Sequence, residues 1–518
     1  MSFIKTIIPT FIVFCFFSSC NSPKTQEISY VETYRNPVIA GDFPDPTVIK
    51  VGDTYYAATS SSEWALPYRL FQSKDLVNWD YIGPAFHEVP EWLMGSFWAP
   101  ELYYHNDTFY IYYTARRKSD KRSYIGVATS RDLTKGFADH GLIIEWTSEA
   151  IDAYIIDIDN KPYITWKAYG LDKRPTEILG AELSEDRLTV IGEAFSMLSA
   201  EADTWEFGGI EGQCIVKHGE YLYMFYAGAG CCGRDCNYAT GVARAKTIDG
   251  QWERYEGNPI LFGDNNWKCP GHGTLVETPD HRFFYLYHAH NVVTNVHVGR
   301  QPMLDEVVWD KTTGWPKFRY GNTPSLQAEM PVAGAIQYKT ADFKDDFSNS
   351  TLKKEWVWDV SKTKPKTELT DNKLKMQADE TPVGSFLGLQ PRTGYYTFEA
   401  DIESQANLST GIALYGTSNG AIGLSVKNQT IELWSVDNGK RSVITQAPTN
   451  QKEITLYVTT RHGNQCQFGW KDEKGTYHPI GETQNIDRLP QWDRPANPGI
   501  HAQGNGHASV KQVSLKWK

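Results

Sequence analysis

GDTYYAATS (52–60) returns, altered, four more times along the chain: as NDTFYIYYT (106–114), DNKPYITWK (159–167), HGEYLYMFY (218–226) and DHRFFYLYH (280–288). Each copy is a polar turn followed by an aromatic strand. An apolar run precedes it and a further strand follows, as in RLFQSKDLVNW (69–79), IGVATSRDLTKGF (125–137) or VHVGRQPML (296–304). The aligned tyrosines Tyr56, Tyr110, Tyr163, Tyr223 and Tyr285 stand 53 to 62 residues apart. A fixed period of this size marks a repeat architecture, and four short strands per unit suit a propeller blade. Alternating apolar and polar positions argue for half-buried antiparallel strands, with Gly and Pro between them. The prediction is an all-β chain with a five-bladed β-propeller over 34–332.

Working outward from the repeat, a residue fit for chemistry stands 11 to 13 positions before each tyrosine: Asp45, Trp98, Asp152, Glu211 and His272. In a closed propeller, equivalent positions on the innermost strands gather at one end of the channel. Singly, each carboxylate has a plain reading. Asp45 lies in a Pro-Asp-Pro turn, Asp152 precedes a strand as a turn cap would, and Glu211 follows a Gly-Gly loop. Their recurrence at one phase of the repeat outweighs those readings, because a turn requires no carboxylate there. Asp42 and Asp157 are the nearest competitors; the first is three residues out of phase, the second lies inside the strand-turn pattern.

The repeat stops after Trp315-Pro316, and a connector (332–338) leads into FKDDFSNSTLKKEWVWD (343–359). Further strands follow, among them TGIALYGT (410–417), TIELWSV (430–436) and EITLYVTTR (453–461). Strands at this spacing predict a β-sandwich over 333–518, its last strand pairing with its opening segment.

The chain has 518 residues, 13% of them aromatic, and a net charge of −11 with acids and bases interspersed. No basic run is present, which argues against nucleic acid as a partner. Residues 1–20 read as an export signal: Lys5, an apolar core (7–17), then Ser-Ser-Cys. The ending resembles a bacterial lipoprotein cleavage box, with Cys20 the lipidated new terminus and 21–33 a tether. An ordinary secretory signal is the alternative. Export permits disulfides. The cluster AGAGCCGRDCNYATG (227–241) lacks zinc-ligand spacing; a disulfide-stapled loop near the channel mouth is expected, its pairing open.

The segment NPVIAGDFPDPTVIKVGDTYYAATSS (36–61) resembles the opening signature of glycoside hydrolase family 43. WAPELYY (98–104), AIDAYIIDIDNKPYITW (150–166), IEGQCIVKHGEYLYMFYA (210–227), GHGTLVE (271–277) and GRQPML (299–304) follow in the family's order. The resemblance covers the whole repeat region. It implies Asp45 as general base, Glu211 as general acid and Asp152 as the modulator that raises the acid's pKa. It also implies Arg300 as a contact to substrate or to the acid. His272 would support the site from beneath, as a structural histidine or through waters on a structural calcium ion, although calcium prefers oxygen. No other cofactor is implied. Trp98 is either a wall for the terminal sugar or packing between blades; Trp64 and Trp205 are placed on loops that shape the pocket. The C-terminal region is similar to the concanavalin-like (jelly-roll) sandwich found after some propeller glycosidases. It is either a carbohydrate-binding module, with Arg392, Tyr395 and Trp434 as contacts, or a structural partner completing the pocket; the second is favoured, since strand aromatics are more often core.

The chemistry matches this set. Glycosidic cleavage with inversion needs an acid on the leaving oxygen and a base on the attacking water, in environments that separate their pKa values. The expected activity is an inverting, exo-acting hydrolase of plant polysaccharide, an α-L-arabinofuranosidase or β-D-xylosidase. Alternatives are a galactofuranosidase or galactan-active enzyme, an endo-arabinanase, or a non-catalytic glycan-binding lipoprotein. Retaining sister families use an Asn-Asp-Pro-Asn box where this chain has Phe-Pro-Asp-Pro. The expected setting is a monomer, exported and lipid-anchored to the bacterial outer membrane, or periplasmic.

Overall fold

The computed structural model describes residues 32–146, 148–169 and 174–518. The leader, Cys20 and nearly all of the tether lie outside the described residues; Thr33, at the tether's end, already opens a strand. Among the described residues the chain is all-β, with only two short 3-10 turns, Leu133–Lys135 and Asn295–His297. The second of these occupies the start of VHVGRQPML, whose strand begins at Arg300.

Five four-stranded antiparallel sheets follow one another, each made of consecutive strands except that the short strand Trp64–Ala65 interrupts the first. Their innermost strands are Thr47–Val51, Leu93–His105, Ala150–Ile158, Ile210–His218 and Trp267–Glu277. The five quoted repeats form the second strands: Thr54–Thr59, Thr108–Arg117, Lys161–Ala168, Tyr221–Gly228 and Phe283–Asn291. Every buried cluster of this region joins two neighbouring blades. Val48, Tyr55 and Phe71 of blade one pack with Val276, Phe284 and Leu304 of blade five, and four further clusters fill the remaining gaps. The ring is therefore closed by packing. Among the described residues no blade borrows a strand from the far end of the chain; instead Thr33–Arg35 pairs with Gln327–Glu329, and the Tyr34 hydroxyl donates to the Leu304 carbonyl at 2.7 Å.

The C-terminal region holds a nine-stranded and a six-stranded sheet. One apolar cluster, with Phe398 and Val458 from the first and Ile412 and Ile500 from the second, lies between them as in a two-layer sandwich. Phe343–Asp345 pairs with the last strand, His507–Trp517, so the region's two ends are joined. The sandwich is fastened to the propeller. Trp64–Ala65 pairs with Trp358–Asp359, and Trp64 is buried against Phe386 and Tyr415.

Candidate active site

At one end of the channel the inner strands stop being regular. The pairing of the inner strand with its neighbour shifts register at the site residue in blade two (Gly95/Trp98/Pro100), blade three (Ile151/Tyr154), blade four (Glu211/Cys214) and blade five (Gly271/Thr274). Bulges of this kind re-aim a side chain that the strand's alternation would otherwise bury between blades. Backbone in the left-handed region marks each turn: Asp45 (φ 55°), Ala99 (32°), Asp152 (59°), Gly212 (60°) and His272 (44°). Non-glycine residues persist there only where the surroundings over-determine them.

These turns bring together Asp45, Trp98, Asp152, Glu211 and His272, with Arg300, around a cavity of about 220 Å³. The Arg300 guanidinium donates from Nη1 to Asp45 Oδ1 at 3.0 Å, and the Ser60 hydroxyl donates to Asp45 Oδ2 at 2.6 Å. Asp45 is thus held as an acceptor, and Arg300 braces this carboxylate rather than Glu211. His272 Nδ1 lies 3.6 Å from Asp45 and 3.8 Å from Asp152. The Gly212 amide donates to Asp152 at 3.2 Å. Glu211 accepts from Lys167 Nζ at 2.6 Å and from the Tyr238 hydroxyl at 2.9 Å.

The electrostatics differ from the sequence-based expectation. Burial pushes Asp152 up to about 7, with the charges of Glu211 and Asp45 adding to it and His272 and Lys167 opposing. Burial also raises Glu211, which is less enclosed (side chain 16% exposed against 5% for Asp152), but Lys167, helped by His272 and the Tyr238 hydroxyl, outweighs it and holds the carboxyl below its usual range. The surroundings therefore favour the proton on Asp152 and the charge on Glu211. Burial also keeps His288 neutral; its Nδ1 accepts the Asp45 amide at 3.1 Å.

The competing acids are elsewhere. Asp42 is buried and accepts the Arg300 amide at 2.8 Å, outside the cavity lining. Asp157 pairs with Arg187 at 3.2 Å, near the other end of blade three's inner strand from Asp152. Two tryptophans do not shape the pocket. Trp64 is spent on the sandwich contact, and Trp205 covers Gly228 and Gly241, whose missing side chains leave the space its indole fills beside Tyr226. Trp434 is fully buried under Arg441, and Tyr395 is bonded to His462. Arg392 lines a separate cavity of about 210 Å³ between blade one and the sandwich, with Arg69, Phe43 and Trp517. For metal, no group of three or more His, Cys, Asp or Glu side chains is arranged to hold an ion among the described residues. His272 and the two carboxylates beside it fall short of the roughly six to eight oxygens calcium takes, so waters would have to supply the rest.

Several site residues escaped the sequence reading. The sandwich sends Trp492 and Asp493 into the cavity wall. Trp98 donates to Asp493 at 3.3 Å and meets Trp492 edge to face at 5.7 Å. Lys167, Ser60 and Thr114 (whose hydroxyl accepts the Asp152 amide at 3.1 Å) all stand four residues after an aligned tyrosine. That phase was a readable signal. The cysteine loop does reach the mouth, with disulfides Cys231–Cys232 and Cys236–Cys269 and Cys214 and Cys466 free and buried.

Known proteins resemble the chain in sequence and in fold. The chain is 26% identical over 348 residues to the xylan 1,3-beta-xylosidase of a Vibrio species, covering 62% of this chain and 64% of that one. It is 28% identical over 383 residues to a non-reducing end alpha-L-arabinofuranosidase of Bacteroides ovatus, covering 69% and 68%. The chain therefore spans about two thirds of these relatives' length. In fold it superposes on the Bacteroides ovatus xyloglucan PUL GH43B with a TM-score of 0.82 at 21% identity, over 94% of this chain and 100% of that one. Residues 34–316, more than half the sequence and all of the ring up to the last strand of blade five, match the model for glycosyl hydrolases family 43, and the chain belongs to that family.

Proposed function

We propose that this glycoside hydrolase is an inverting, exo-acting enzyme that removes terminal α-L-arabinofuranosyl or β-D-xylosyl units from plant polysaccharide or its oligosaccharides. The observation that carries the reading is the pocket itself. It is smaller than the roughly 300–1,000 Å³ of typical ligand sites, floored by three carboxylates and walled on one side by the sandwich's Trp492 and Asp493. Such a pocket suits one terminal sugar better than a run of them, and the names of the relatives point to the same two sugars.

In this reading Asp45 is the base. Arg300 and Ser60 orient its carboxylate to take a proton from the water that attacks the anomeric carbon. Glu211 is the acid that protonates the leaving oxygen as the glycosidic bond breaks. Asp152 holds the pair's proton near neutrality and passes it to Glu211 when bound sugar displaces the balance set by Lys167. The attacking water gives its proton to Asp45 and the leaving oxygen takes one from Glu211, so the scheme calls on no cofactor. The protein acts as a monomer, exported and held to the membrane through lipidated Cys20.

Hydrolysis of 4-nitrophenyl α-L-arabinofuranoside, β-D-xyloside and β-D-galactofuranoside, with NMR of the first-formed anomer, tests this. Turnover of one of the first two with inversion is expected. Retention would remove the mechanism, and activity confined to the galactofuranoside would remove the sugar assignment.

A further inference from the structure

The two disulfides of the blade-four loop do different things. Cys236–Cys269 spans 33 positions and ties the loop to the inner strand of blade five, three residues before His272. Cys231–Cys232 joins sequence neighbours. A bond between adjacent residues closes almost no chain, so it removes little freedom from the unfolded state and staples nothing. The loop is in any case held without it. Besides Cys236–Cys269, the Gly230 amide donates to Asn237 at 2.9 Å, and Arg234 donates to the Asp487 carbonyl of the sandwich at 2.7 Å.

What the adjacent pair has is position. Both cysteines are half-buried and line the site cavity beside Glu211 and Trp492. Glu211 is the backbone partner of Ala227, two residues before the lining of this loop begins at Ala229. The disulfide therefore stands on the acid's side of the pocket, where the leaving oxygen must lie. Oxidation replaces two rotatable thiols with a rigid, polarisable, apolar surface that has no hydrogen-bond donor. A surface already fixed loses no rotamer freedom on contact. The hydroxyl-binding groups of the lining are other side chains: Arg300, Lys167 and the three carboxylates, with Arg174 and Asp493.

We propose that the Cys231–Cys232 disulfide is the platform on which the leaving-group sugar, the unit next to the scissile bond, lays its C–H face, with Trp492 (49% exposed) completing that subsite. This rests on Glu211 as the acid. It makes a redox bond a determinant of which chain the terminal sugar can be cut from.

The test uses the Cys231→Ser/Cys232→Ser enzyme and two substrates sharing the glycone that the wild type accepts. One is an oligosaccharide, whose leaving group is a sugar; the other is the glycosyl fluoride, whose leaving group is one atom. The expected result is a kcat/KM lowered roughly tenfold on the oligosaccharide, the size of one lost apolar contact, and unchanged on the fluoride. An unchanged oligosaccharide rate, or an equal fall on both, overturns the proposal. So does alkylation of Cys231 and Cys232 in the unreduced, denatured wild type. Cys231→Ala/Cys232→Ala serves if the serine pair does not fold. Glu211→Gln run on the same two substrates keeps the readings apart: equal losses there sink the acid assignment, while the disulfide is judged by its own ratio.

Discussion

Blades one and three differ from blades two and four in which residue takes the left-handed turn at the mouth. In the first two it is the carboxylate itself, Asp45 or Asp152; in the others it is a small residue, Ala99 or Gly212, and the reaching side chain stands one position earlier, as Trp98 or Glu211. Counted back from the aligned tyrosines, all four left-handed residues fall at the same place, 11 residues upstream. The repeat therefore conserves a backbone turn, and the chemistry is fitted to it by side-chain length. Aspartate, with one methylene, has to sit on the turn. Glutamate and tryptophan reach past it from the residue before, provided that the turn residue is small. A Cβ on Gly212 would stand 2.6 Å from the His272 ring, so the acid's blade has room for the histidine only because the turn is glycine.

Removing one carboxylate of each kind gives the largest expected effects. Asp45→Asn should lower kcat about 10,000-fold, the upper end for loss of a general base, whatever the leaving group. Glu211→Gln should match that on unactivated oligosaccharide yet cost only about tenfold on a 4-nitrophenyl glycoside, whose leaving group needs little protonation. Steady-state kinetics on both substrates checks it. A Glu211→Gln enzyme equally impaired on both would mean that the two blades do not divide the roles.

The turn residues give the next effect. Gly212→Ala forces a side chain into left-handed backbone and against His272, and should destabilise the protein by about 1–3 kcal/mol while lowering activity. Ala99→Gly relieves the same conformation in blade two and should change stability by less than about 1 kcal/mol. Thermal unfolding of the pair decides. Equal destabilisation would show that the turns are not equivalent.

The fold was legible because the second strands announce themselves: NDTFYIYYT and HGEYLYMFY are turn and strand in nine residues, and both occupy the predicted strands. The mouth was legible in outline, since Asp45, Asp152 and Glu211 do meet there. Trp64 and Trp205 were misread for a physical reason. A tryptophan near a loop says nothing of whether glycines or a second domain wait to cover it. Trp492 and Asp493 were out of reach, because no repeat phase relates the sandwich to the propeller. Lys167, by contrast, stands in a quoted motif, and its ammonium is what lowers Glu211 where the sequence alone leads one to expect a raised acid.

That lysine is the smallest and sharpest test of how blades three and four are coupled. Lys167 comes from blade three and pairs with the acid of blade four, as Thr114 of blade two accepts from Asp152 of blade three and His288 of blade five from Asp45 of blade one. Its charge lowers the pKa of both Glu211 and Asp152. In Lys167→Met, burial and mutual repulsion remain while the attraction is gone. Both carboxyls then rise, and the pair keeps its proton to higher pH. Because the acid must be protonated to work, the alkaline limb of kcat/KM, which reports the free enzyme, should move upward in pH. Some loss of maximal rate will accompany it, since Glu211 loses the donor that aims it. A pH profile of variant against wild type reads both at once. A limb that stays in place, with only the maximum lowered, would make Lys167 a strut for Glu211 and leave Asp152 alone in control of the proton.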